Sequence, residues 1–357
     1  MSDRRPPRRR LAASSTISAL SAALVLVWAG SQTGCAAGSG SGGGLLNPGA
    51  AREEVRQERA EQRVEIAERL VEQGRLDAAL AEFGLALEDN PELIEAHLGM
   101  GNIYRQRGQN DIALRLFQQA LDTDSTDNEK RADAYYGIGI TSQVLGQVND
   151  AIRAYLQALV LDPTATEANR DLGTAYVQAG RPDYAIAYAK KATELNPDDQ
   201  AAWCNLAAVY NLLGEYDEAL RSYRLATELG PLDDPVLLGL ADTHLKLGNF
   251  QRAANTLESV IRMRPTSTAY ERLGYAEFKR RDFRIALQHY RKAVELNPRE
   301  TAAHNGIGAV LVTYYIQGER KNRGQLEDAL NAWRTSLRIR PQQPQIVNLL
   351  GRYQRPG

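Results

Sequence analysis

The stretch FRIALQHYRKAVELNP, residues 283–298, decides the fold, because it reads as one amphipathic helix with its own stop signal and the chain keeps returning to it. Ala286, Tyr290 and Ala293 are separated by four and then three residues, which places all three on one face of an α-helix. Proline cannot continue a helix and pushes the residue before it into extended backbone, so Asn297-Pro298 ends the segment. The same phrase returns as LDAALAEFGLALEDNP (76–91), NDAIRAYLQALVLDP (149–163) and YDEALRSYRLATELGP (216–231).

Its first alanine recurs at 79, 113, 151, 185, 219, 253, 286 and 329, with spacings of 34, 38, 34, 34, 34, 33 and 43. A period near 34 residues means a stack of helical units, each too small to bury its apolar face alone. Upstream of each alanine lies a second helical pattern, marked by an apolar–small pair: Ile66-Ala67, Met100-Gly101, Ile138-Gly139, Leu172-Gly173, Leu206-Ala207, Leu240-Ala241, Leu273-Gly274 and Ile307-Gly308. Gly74, Gly108, Gly146, Gly180, Gly214 and Gly248 sit between the two patterns, where a left-handed residue ends a helix. Pro91, Pro163, Pro197, Pro231, Pro265, Pro298 and Pro341 end the second; only the second copy lacks it, with Ser125 in place.

In these features the chain resembles the tetratricopeptide repeat (TPR) family, with two antiparallel helices, A and B, per unit. The resemblance implies an all-α solenoid of eight repeats near 60–93, 94–127, 132–165, 166–199, 200–233, 234–266, 267–300 and 301–341, wound into a right-handed superhelix. Residues 51–62 lengthen the first helix, and PQQPQIVNLLGRYQ (341–354), within a C-terminal cap at 342–357, supplies a closing helix for the last apolar face. Two insertions break the period: four residues near 125–132, expected to lengthen a connection, and nine within 313–330, expected to replace a tight turn with a loop.

Composition fits a packed helical protein: 43% hydrophobic, 24% charged, with 43 basic and 44 acidic residues. The near-neutral balance hides an asymmetry, since residues 36–261 hold 20 basic against 35 acidic residues and 262–357 hold 18 against 8. Two cysteines, Cys35 and Cys204, give no disulfide framework, and four isolated histidines give no metal-ligand spacing, so no metal and no cofactor is expected. Phosphate-cradling glycine loops, HExxH and GxSxG are all missing, and the carboxylates are scattered at spacings that suit exposed helix faces, so no catalytic residue is assigned and an enzyme is not expected.

At the N-terminus five arginines precede an uncharged run, Leu11 to Gly30, densest at ALSAALVLVWA (19–29), which is short for a membrane span and has the layout of a secretory signal. Together with Gly34-Cys35 this resembles a bacterial lipoprotein signal, in which the cut falls before a cysteine that receives a diacylglycerol group. Gln32 stands where that family prefers Leu or another apolar residue. The resemblance implies a signal peptide at 1–34, lipid attachment at Cys35, a flexible Gly/Ser tether at 35–50 and a folded body facing the periplasm, with the outer membrane favoured because Ala36 is not the aspartate of inner-membrane retention. Cleavage near Ala37 and an uncleaved signal anchor are the alternatives.

In the TPR family, peptides bind the concave side through A-helix positions two, five, six, nine and twelve. On this chain those positions give a tentative partner-binding groove of Leu98, Asn102 and Arg105; Tyr136 and Ile140; Arg170 and Thr174; Asn211; Leu238 and Leu245; and Tyr275 and Phe278. The family's carboxylate clamp is missing, since Leu98 stands at five beside Asn102 at nine, and so is the asparagine ladder of glycosyltransferase superhelices. Glycine at position six in four repeats either leaves room for an extended ligand or eases packing of neighbouring A helices. A second surface, Lys279, Arg280, Arg281 and Arg284 with Arg320, Lys321 and Arg323, reads as a solvated basic face or a docking patch for an acidic protein, glycan or lipid headgroup. These readings lead to a lipid-anchored scaffold of the cell envelope that binds protein or peptide partners, with no nucleic acid. The alternative is a non-catalytic regulatory or substrate-delivery subunit of an envelope enzyme such as a polysaccharide synthase.

Overall fold

The computed structural model describes residues 48–230, 233–319 and 321–354. The signal segment, Cys35, most of the tether, Pro231 and Arg320 lie outside the described residues.

Among the described residues there are 17 helices and no strand. They pair as A and B helices: α1 (Pro48–Glu72) with α2 (Leu76–Asp89), α3 (Ile94–Gln106) with α4 (Asn110–Asp122), α5 (Asn128–Val144) with α6 (Val148–Leu161), and α7 (Thr166–Gln178) with α8 (Pro182–Leu195). The order continues with α9 (Gln200–Leu213) and α10 (Tyr216–Leu229), α11 (Asp234–Lys246) and α12 (Phe250–Met263), α13 (Ser267–Lys279) and α14 (Phe283–Leu296), and α15 (Thr301–Gln317) and α16 (Arg323–Ile339). A last helix, α17 (Pro344–Gln354), packs on α16, where Ile346, Leu349, Leu350 and Tyr353 cover Trp333 and Leu311. The array is an α-solenoid of TPR type.

Local chemistry accounts for both kinds of connection. Between A and B helices the six expected glycines take φ of +70 to +81°, a backbone region that costs any residue with a Cβ. Repeat seven has no glycine there, and Arg281 is held at φ 69° instead. Between B and A helices the residue before proline is extended, as in Asn90 (φ −139°, ψ 100°) and Asn297 (φ −140°, ψ 97°). The Asn side chain then accepts from the backbone two residues on, Glu92 N at 2.9 Å and Arg299 N at 3.1 Å, folding the chain into the next helix.

The recurrent alanines Ala79, Ala113, Ala151, Ala185, Ala219, Ala253, Ala286 and Ala329 are all fully buried. Four residues on, most B helices carry a large side chain that packs against A-helix glycines, whereas α8 has Ala189 at that position. A Cβ added at Gly101 would lie 2.7 Å from the Phe117 ring, and one at Gly137, on the next A helix, 2.6 Å from the same ring. Tyr290 is held in the same way between Gly274 and Gly306, Phe83 meets Gly99, and Tyr223 meets Gly239. The position-six glycines are therefore filled from behind by the preceding B helix, as the packing reading requires, and Gly99 together with Phe83 also faces open space.

Both insertions are absorbed mainly by helices, which corrects the expectation of longer loops. The four extra residues give α5 17 residues, where a typical A helix has 13. The nine extend α15 and α16 to 17 residues each, and only 318–322 remain as a connection. Apolar residues at 310–316 favour this outcome, since Val310, Leu311 and Val312 are buried and would be exposed in a loop.

Candidate functional site

Successive A helices touch one another, α3 with α5, α5 with α7, α7 with α9, α9 with α11 and α13 with α15, whereas no pair of successive B helices is in comparable contact. The A side is thus the shorter arc, and the A helices line the inner face of the curve.

Many of the groove residues named from sequence are tied from one repeat to the next along this face. Tyr136 donates its hydroxyl to Asp171 at 2.8 Å, and Arg170 donates to Asp171 at 3.1 Å and to Asp199 at 3.0 Å. Asn205 donates to Thr174 at 2.8 Å, Asn211 to Thr243 at 2.9 Å, and Arg272 pairs with Asp242 at 2.9 Å. Burial and the Asp171 charge raise the Tyr136 hydroxyl well above its ordinary range, and the two aspartates hold Arg170 firmly cationic against the cost of burial. These side chains set the spacing and twist of neighbouring repeats. Ile140, Leu238 and Leu245 are half-buried in the inter-repeat core, and Phe278 meets Phe283 with ring centroids 5.5 Å apart. Tyr275 is exposed, with the Lys279 ammonium 5.5 Å from its ring centre.

Open space gathers where this ladder is thin. A cavity of about 520 Å³ lies between α1, α3 and α5, with Val71, Phe83, Leu98 and Ile103 as its apolar floor and Glu68, Glu95, Asn102, Arg105 and Lys130 around it. Three of the residues named from sequence, Leu98, Asn102 and Arg105, therefore share one concavity. Arg105 donates to Asn102 at 3.3 Å, while its buried Nε has no partner. A second cavity, of about 310 Å³, lies between α5, α6 and α7 beside Tyr136.

Among the described residues, Lys279, Arg280, Arg281 and Arg284 fall at the α13–α14 turn, and Lys321 and Arg323 at the α15–α16 turn. Arg280 is engaged by Glu277 at 2.6 Å and by Asp282 at 3.6 Å, and Lys321 by Glu319 at 2.5 Å. Lys279 lies over Tyr275, while Arg281, Arg284 and Arg323 have no ion-pair partner among the described residues. Cys204 is half-buried, and burial with Asp233 and Asp199 nearby pushes its thiol up to about 11, so it carries no thiolate near neutrality.

Sequence reasoning missed a recurring clasp. At one A-helix position His97 and His304 bond the carbonyls of Pro91 and Pro298, each at 3.0 Å, and Trp203 bonds that of Pro197 at 2.7 Å. A carbonyl only accepts, so the histidine Nε2 carries the proton. The signal was a donor side chain six residues after four of the helix-ending prolines, Pro91, Pro163, Pro197 and Pro298. Among the described residues no group of His, Cys, Asp and Glu could hold a metal ion, and no helix is long and apolar enough to cross a membrane.

The chain resembles the crystal structure of the APC/C hetero-tetramer Cut9-Hcn1 with a TM-score of 0.56 and 19% identity over 78% of this chain, and spans about half (52%) of the matched chain's length. It resembles the structure of Pseudomonas aeruginosa pilF with a TM-score of 0.54 and 21% identity, covering 60% of this chain and 96% of that one. At these identities both likenesses concern the fold. No curated protein matches the chain. The family model described as the cilia and flagella-associated protein 70 C-terminal domain matches residues 65–307, from the middle of α1 into α15. With the helix pairs, the turn glycines and the buried alanines all in register across that span, the chain belongs to this family of TPR domains.

Proposed function

We propose that the chain is a non-catalytic adaptor that receives a protein or peptide segment in its A-helix groove and is held at a bacterial envelope membrane by lipid on Cys35. The observation that carries the binding half is the open concavity over Leu98, Asn102 and Arg105, in a face whose side chains are elsewhere largely tied from repeat to repeat. The anchoring half rests on sequence: a basic start, an apolar run and Gly34-Cys35 followed by a Gly/Ser tether. The family match begins at residue 65 and does not include that segment.

A photo-crosslinking residue at the exposed Asn102 tests the groove, with the same residue at Val160, 72% exposed on α6, as the control. A partner captured from Asn102 and not from Val160 supports the reading; equal capture from both, or from neither, removes it. An envelope-assembly component among the products favours the scaffold role, and a glycosyltransferase favours the regulatory-subunit alternative. Cys35→Ser tests the anchor: it is expected to abolish fatty-acid labelling and release the protein from membranes, since two or three acyl chains anchor almost permanently. Labelling that persists in this variant refutes the lipid assignment.

A further inference from the structure

The two cavities of the groove share one wall, Asp133 on α5, and differ in chemistry. The first has a floor of large apolar side chains. The second is lined by the half-buried Tyr136 and Ala165 over the buried Ala132, Ala158 and Ala168, beneath four carboxylates, Glu129, Asp133, Asp162 and Glu167. None of the four has a cationic partner among the described residues. The bases of α5 and α7 are committed elsewhere: Lys130 to Glu95 and Asp127, Arg131 to the Leu121 carbonyl at 3.2 Å, and Arg170 to Asp171 and Asp199. Burial and the charges of Glu129, Asp127 and Asp162 push the Asp133 carboxyl above its ordinary value, as unrelieved repulsion should.

Resting on the reading that the groove takes a protein segment, we propose that repeats one to four select an extended segment that places a large apolar side chain in the first cavity and a lysine or arginine in the second. The methylene stem of such a residue lies along Ala165 and the Tyr136 ring while its charged head meets the carboxylates. An acidic segment is excluded by the same four charges, so the site discriminates by repulsion as well as attraction. This preference is opposite to that of a clamp for a C-terminal carboxylate, since the cavity presents Glu129, Asp133 and Glu167 in place of cationic donors.

The test is selection of random peptides of about 12 residues, displayed on phage, against the purified full chain, followed by fluorescence anisotropy of the enriched peptides as synthetic probes. Two variants accompany it: Glu129→Gln/Asp133→Asn/Glu167→Gln, which removes exposed charge, and Asn102→Trp, which fills the mouth of the first cavity; circular dichroism checks that both fold. Enrichment of Lys or Arg together with Leu, Ile or Phe is expected, with an affinity loss of about tenfold in the charge variant, as three weak exposed pairs acting together would give. Raising salt from about 0.1 M to about 1 M should erase that difference, because the screening length falls from about 10 Å to about 3 Å. Enriched peptides that are acidic or uncharged, and still lose binding to Asn102→Trp, overturn the inference while leaving the groove reading in place. Peptides that bind both variants like the parent, or no enrichment at all, overturn the two together.

Discussion

Gly101 and Gly173 occupy the same A-helix position two repeats apart, yet substitution by alanine should move stability in opposite directions. Both are mid-helix, so each gains about 1 kcal/mol from replacing glycine by alanine in a helix. At Gly173 the new methyl meets Ala189 and the Ala185 carbonyl at 3.5–3.6 Å, which is ordinary contact, so the gain stands. At Gly101 it would lie 2.7 Å from the Phe117 ring, and that ring is fully buried with Gly137 pressed on its other side. Overpacking of this kind costs about 1–3 kcal/mol, and a ring with no free side belongs near the top of that range. The net expectation is about 2 kcal/mol of destabilisation for Gly101→Ala against about 1 kcal/mol of stabilisation for Gly173→Ala. At about 2 °C per kcal/mol for a chain of this size, the two melting temperatures should differ by roughly 6 °C. The assay is thermal unfolding followed by circular dichroism, with hydrogen exchange on α3 and α7 because repeat arrays do not unfold as one unit. Adding Phe117→Leu to Gly101→Ala should restore part of the loss, a coupling absent between Phe117→Leu and Gly173→Ala. Shifts of the same sign for both alanines, or no coupling to Phe117, would refute the wedge argument.

Three further outcomes follow from the same structure. Arg281→Gly should raise the melting temperature, since a side chain in left-handed backbone costs roughly 1–2 kcal/mol, and an unchanged melt would show that strain to be relieved elsewhere. Burial, then Glu300 and Asp242 against the opposing Arg272, raises the Glu271 carboxyl from 4.5 to about 7; the folded chain then holds the proton longer than the unfolded chain, so this group's contribution falls as pH rises from 4.5 to 7. Glu271→Gln should flatten that part of a melting-temperature profile, and an unaltered slope would place its origin in other groups. The Cys204 thiol, pushed up to about 11, should react with iodoacetamide at pH 8 far more slowly in the native chain than in guanidinium, and equal rates would contradict its burial.

The sequence by itself determined the unit and the way units join. Eight alanines near a period of 34, turn glycines and helix-stopping prolines are short-range signals, and each maps to one helix face, one left-handed residue or one extended residue before proline. Tertiary structure decided everything that depends on what lies one repeat away. Whether glycine at position six is a gap or a seat depends on the ring of the preceding B helix, some 16–20 residues earlier, as in Phe83–Gly99 and Phe117–Gly137. Whether Tyr136, Arg170 and Asn211 are free to bind depends on Asp171, Asp199 and Thr243 in their own and following repeats. The nine-residue insertion went into helices because its apolar residues had neighbouring helices to bury against. A periodic pattern fixes which face of a helix is apolar; only the packed stack fixes which side chain fills the space in front of it, because that partner belongs to another repeat.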